Sequence, residues 1–140
     1  MKNLLALLFL IHLSVVGLAQ KIDSLQTLLQ QTKSDTSKTI LLSQLADELT
    51  QANPQKSIAV AKKGLALANQ IDFTRGVFEN YFSLASAYQG QAQFDSAIVY
   101  FHKAQAIAHS RNDKSGQAKI YSALGHSFMR KSQMDSARYY

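Results

Sequence analysis

The feature that most constrains this chain is an internal repeat with a period of 40 residues. Shifting the last third back by 40 superposes Gly116 on Gly76, Tyr121 on Tyr81, Leu124 on Leu84, Gly125 on Ala85, Phe128 on Tyr88 and Met134 on Phe94. The match continues through Asp135-Ser136-Ala137 on Asp95-Ser96-Ala97 and Tyr140 on Tyr100. The same shift lays Ile98, Phe101, Ala104, Ile107 and Ala108 over Ile58, Ala61, Gly64, Leu67 and Ala68. A chain built this way stacks like units, because no single unit can bury its apolar face alone. The first unit is the most divergent: its leading helix aligns after a one-residue deletion, pairing Leu42, Leu45, Ala46 and Leu49 with Tyr81, Leu84, Ala85 and Tyr88.

Within each unit apolar residues recur at steps of three and four, as in Tyr81, Leu84, Ala85, Tyr88 and again in Ala97, Phe101, Ala104, Ala108. That spacing gives two amphipathic helices per unit, and no strand-like alternation is sustained. Turn and capping residues separate them: Asn53-Pro54, Gly90 with Asp95-Ser96, and Asp135-Ser136. Helices are predicted near 21–32, 37–51, 55–71, 75–90, 95–110, 115–131 and from 135 onward. Lys33 to Lys38 form a linker, and the surplus of a 40-residue period falls at the end of each second helix and in the loop after it. One proline, six glycines and no tryptophan fit an all-α chain.

Residues 1–19 differ from the rest. Lys2 precedes an apolar stretch from Leu4 to Leu18, interrupted by His12 and Ser14 and ending in Gly17-Leu18-Ala19. This reads as a secretory signal cleaved after Ala19, giving an exported, periplasmic or secreted product that does not span the membrane. Without Lys2 the chain carries 14 basic and 9 acidic side chains, a formal charge of +5. The only adjacent basic pairs are Lys62-Lys63 and Arg130-Lys131, with no basic stripe among stacking aromatics, which argues against nucleic acid. The absence of cysteine excludes disulfides and thiolate metal sites. After cleavage, residues 20–36 hold a capping helix and linker, with Ile22, Leu25, Leu28 and Leu29 forming its apolar face.

The stretch Tyr81 to Ala104, YFSLASAYQGQAQFDSAIVYFHKA, resembles a tetratricopeptide repeat. Large, Leu, small and aromatic residues fall at Tyr81, Leu84, Ala85 and Tyr88, and small, aromatic, small at Ala97, Phe101 and Ala104. Tyr121, Leu124, Gly125, Phe128 and Ala137 repeat the pattern, and Leu42, Leu45, Ala46, Ser57 and Gly64 repeat it more weakly. The period departs from the family's usual ~34 residues. The resemblance implies a right-handed superhelical α-solenoid of helix-turn-helix hairpins over 37–140, with units at about 37–72, 76–112 and 116–140, the third incomplete.

It further implies that the leading helices line a concave groove which binds protein or peptide, and that the position after each small packing residue points into it. That places Asp47, Ser86 and His126 in the groove, joined one turn away by Ser43, Thr50, Phe82, Gln89, Ser122 and Met129. The family's clamp for a terminal carboxylate needs Lys and Asn at such positions, and this chain lacks them.

No glycine-rich phosphate loop, His-Glu-x-x-His or nucleophile elbow occurs, so the reading is non-catalytic, without cofactor or metal. His102 and His109, seven residues apart, lie about 10 Å apart along a helix, too far to share a metal unaided. The sequence stops inside the second helix of the third unit, which reads as a fragment. Exported long-period arrays resemble the sensory front ends of bacterial histidine kinases and transcriptional regulators, so a truncated signalling protein is the alternative function. An open stack end also makes end-to-end self-association an expectation.

Overall fold

The three-and-four spacing becomes helix throughout the computed structural model, which describes the backbone of residues 2–139 and the side chains of residues 16–135. Six helices follow one another among the described residues: α1 (Lys2–Gln31), α2 (Asp35–Ala52), α3 (Pro54–Gln70), α4 (Thr74–Gly90), α5 (Phe94–Ser110) and α6 (Lys114–Tyr139). No strand occurs among those residues.

The chain reverses through very short joints. Asn53 alone separates α2 from α3: its side-chain Oδ1 accepts from the Lys56 amide at 2.9 Å, and Pro54 opens α3, as the dipeptide predicts. The next three joints are alike. Ile71-Asp72-Phe73, Gln91-Ala92-Gln93 and Arg111-Asn112-Asp113 each place their middle residue in the left-handed region, with φ of 52°, 57° and 53°. In each, the third residue's amide bonds back to a helical carbonyl five residues earlier, Phe73 to Ala68, Gln93 to Tyr88 and Asp113 to Ala108, all at 2.9 Å. These are Schellman closures, which satisfy the last carbonyls of the preceding helix. Asp113 also starts α6, its Oδ1 accepting from the Gly116 amide at 2.8 Å.

Each helix packs on the next, and in addition α2 packs on α4 and α4 on α6. The leading helices α2, α4 and α6 thus form one layer, with α3 and α5 lying against it. The core is graded by size. Ala46, Ala61, Ala68, Ala85, Ala97, Ala104 and Ala108 are fully buried where helices approach, and Phe101, Leu84 and Ile120 fill the space between. Tyr100 of α5 stacks on Tyr88 at 5.4 Å between ring centroids and 2° between planes, and lies 6.2 Å from Tyr81.

Several boundaries differ from expectation. The linker predicted over Lys33 to Lys38 shrinks to residues 32–34, because Ser34 caps α2 by accepting from the Ser37 amide. The loops after α3 and α5 stay at three residues, so the surplus of the period lies in the helices. The break expected at 131–135 is absent, and α6 runs on to Tyr139. Asp135-Ser136 begins a helix in the repeat pattern, but Arg130 stands where the second unit has Gly90, the last residue of α4.

The predicted signal and cap form one helix, α1, which among the described residues packs against α2 alone. Ile22, Leu25 and Leu29 are half-buried, whereas Leu28 is exposed. Lys21 pairs with Glu48 of α2. Residues 1–15 of the signal lie outside the described side chains. Among the described residues, no helix is long and apolar enough to cross a membrane.

Candidate functional site

The α2/α4/α6 layer turns one face away from α3 and α5. The sequence pattern assigns Asp47, Ser86 and His126 to it, one from each leading helix. Asp47 and His126 are exposed and Ser86 is half-buried. Ser122 and Met129 of α6 are exposed as well.

The remaining four predicted residues are taken up in packing between helices. Ser43 is buried: its hydroxyl donates to the Ile40 carbonyl, and its own carbonyl accepts from Ser83 Oγ at 3.2 Å. Thr50 turns toward α3, where its hydroxyl lies 3.2 Å from that of Ser57. The Gln89 side-chain amide spans to α6, donating to Ser127 Oγ at 2.6 Å and to the Ala123 carbonyl at 3.3 Å. Phe82 is half-buried, its ring 5.3 Å from Phe101 and beneath the Lys119 ammonium, which sits 3.8 Å from the ring centroid. Phe82 is therefore a plug between α4, α5 and α6. Among the described residues no contact links α4 to α1.

The electrostatics of the face centre on Asp47. Solvent reaches this residue, yet the surrounding helices crowd its carboxyl group, and that desolvation raises its pKa above the usual aspartate value. A hydrogen bond from Ser83 and the charge of Lys119 work in the opposite direction, while Glu79 and Glu48 add to the rise. Among the described residues Asp47 makes no ion pair closer than 4.0 Å. Glu79 is itself engaged with Arg75 at 4.0 Å.

Glu79 and Lys119 lie near Asp47, with Ser83 buried beside it, and were missed in the sequence. The signal was there: Glu79 precedes Ser86 by seven residues and Lys119 precedes His126 by seven, two helical turns along the same side. His102 and His109 are exposed on α5, His102 Nδ1 lying 3.0 Å from Gln105 Oε1. No group of three or more His, Cys, Asp or Glu among the described residues is placed to hold a metal ion.

Comparison with protein families and with curated proteins finds no match to this chain.

Proposed function

We propose that this chain is an exported, non-catalytic module of tetratricopeptide type that binds a segment of another polypeptide along the α2/α4/α6 face. The observation that carries the reading is Asp47: a carboxylate partly stripped of water, with no ion pair closer than 4.0 Å among the described residues, near a cation, Lys119, that is held over Phe82. Such a group gains most from a cation brought by a ligand, since the cost of desolvating it is already met in the free protein. The ligand fitted to it is a peptide with a lysine, arginine or free amino terminus, running past Ser86 toward His126.

The arrangement of helices supports the tetratricopeptide part of the reading. Leading helices pack on leading helices, small residues stand at the closest approaches, and Tyr100 wedges between Tyr81 and Tyr88. Export rests on the character of residues 2–19. Cleavage after Ala19 would leave the part of α1 that begins at Gln20, with Lys21 still able to pair with Glu48. Amino-terminal sequencing of the secreted product tests it.

Selecting a random peptide library on the chain tests the binding. Enriched peptides carrying a basic group that lose about tenfold in affinity, or about 1.4 kcal/mol, on Asp47→Asn support the reading. Failure to enrich any peptide, or enrichment of peptides indifferent to Asp47→Asn and His126→Ala, sinks it.

A further inference from the structure

We propose that the cavity between α1, α2 and α3 binds a small aromatic carboxylate, whose ring takes the place that tyrosine holds one repeat later. Leu29 of α1, Leu42 of α2, and Ala66 and Leu67 of α3 wall this cavity, which measures about 580 Å³. That volume lies inside the ~300–1,000 Å³ typical of small-ligand sites. Lys38 and Lys63 line it too, with two glutamines and, among the described residues, no acidic side chain.

The repeat explains why the space is open. Lys63 corresponds to Lys103, Val60 to Tyr100 and Leu42 to Tyr81. In the second unit the two tyrosine rings lie 6.2 Å apart, and the Lys103 ammonium sits over both, 5.7 Å from the Tyr81 centroid and 5.0 Å from that of Tyr100. The first unit keeps the lysine and has neither ring. Helices α1, α2 and α3 are the counterparts of α3, α4 and α5, so every helix bounding the space in the second unit has its equivalent here. What is missing is a side chain, and the recess it leaves is apolar with a cation beside it.

Charge selects the ligand. Lys38 pairs with Asp35 at 2.9 Å, whereas Lys63 makes no ion pair closer than 4.0 Å among the described residues. A ring set against Leu42 meets the Lys63 ammonium as Tyr81 meets Lys103, and a carboxylate on that ring adds a charge-assisted hydrogen bond. A cationic ring gains neither. The cavity includes α3, from which the α2/α4/α6 face turns away, so the inference stands apart from the peptide-binding reading.

Titration of the chain with p-hydroxyphenylpropionate, followed by protein NMR, tests it. The methyl signals of Leu29, Leu42 and Leu67 are expected to shift saturably, with one ligand per chain, while tyramine, the same ring on a cation, leaves them in place. Cyclohexylpropionate, which keeps the charge and bulk without the π face, should bind about two- to fivefold more weakly. Lys63→Glu should weaken binding about fivefold. Leu42→Tyr, which installs the residue of the second unit, should abolish it. Ala66→Leu, at an exposed position, narrows the same space and gives the same readout should Leu42→Tyr disturb the packing. The absence of a saturable shift, equal binding of tyramine, indifference to Lys63→Glu, or binding that survives both Leu42→Tyr and Ala66→Leu overturns the proposal. Cyclohexylpropionate or dodecanoate binding as tightly as the aromatic acid overturns the assignment of an aromatic ligand.

Discussion

The side-chain amide of Asn80 donates to the carbonyl of Thr39, 41 residues earlier, at 3.0 Å, and ties α4 to α2 in the interior. The same amide donates to the Gly76 carbonyl at 2.9 Å, while Oδ1 lies against Gly64 and has no donor. A Cβ at residue 64 would stand 2.0 Å from that oxygen. One repeat on, the same two positions hold Ala104 and Ile120, both fully buried in the α5/α6 core. The small residue and its large neighbour have therefore changed together.

Gly64→Ala alone is expected to destabilise the fold by about 2 kcal/mol or more, through overpacking against Asn80. Gly64→Ala combined with Asn80→Ile reproduces the Ala104–Ile120 pair and should recover at least about 1 kcal/mol of that loss. Urea denaturation of the two variants and the parent checks it. A double variant less stable than Gly64→Ala would refute the compensation.

Ala92 holds φ of 57° with a side chain that disfavours it, whereas its counterparts Asp72 and Asn112 are residue types that tolerate the left-handed region. Ala92→Gly relieves this strain at some cost in unfolded-chain entropy. The net gain should be about 0.5–1 kcal/mol, seen as a higher melting temperature. The same change at Asn112 should give less.

Burial raises the pKa of Asp47 in the folded chain. A group whose folded pKa lies above its unfolded value favours folding while protonated, and that contribution disappears as pH rises through the folded value. Asp47→Asn, which removes the charge, should therefore raise the melting temperature at neutral pH and have little effect below the ordinary aspartate pKa. An equal effect at both pH values would show that the carboxyl group does not titrate in the way described.

Tyr100 bridges two aromatic rings of α4 and carries the Lys103 ammonium 5.0 Å from its own ring centroid. Tyr100→Ala should cost about 2–3 kcal/mol, from two ring contacts plus lost burial. Tyr100→Phe, which keeps the ring, should cost less than about 0.5 kcal/mol by the same reasoning. Thermal unfolding separates the two.

Helices α2 to α5 were legible because their apolar steps, the Asn53-Pro54 cap and the 40-residue repeat agree with one another. The continuity of α6 was not, since the Asp135-Ser136 repeat marks where a helix can start and says nothing of whether the preceding one stops. Of the predicted face residues, Asp47 and His126 are exposed and Ser86 is half-buried. Ser43, Thr50 and Gln89 did not stay free, because a short polar side chain next to a neighbouring helix finds a carbonyl or hydroxyl there. Periodicity places a residue on a side of its helix but cannot tell that side's rim from its seam. Buried Asn80, Ser83 and Ser127 were unreadable for the same reason: each looks like a surface residue until the helix beside it is known.

From Pro54 onward the joints are identical whether they lead into or out of the α2/α4/α6 layer. Helices α3, α4 and α5 are each 17 residues long, and successive starts fall at Pro54, Thr74, Phe94 and Lys114. The backbone thus keeps time in steps of 20 residues, and the side chains in steps of 40. Excising residues 74–113 would join Phe73 to Lys114 with both rhythms intact. Excising 74–93 would preserve every turn yet put Ala104 and Lys103 where the layer needs Leu84 and Ser83. For this molecule, length changes are grammatical only in pairs of helices.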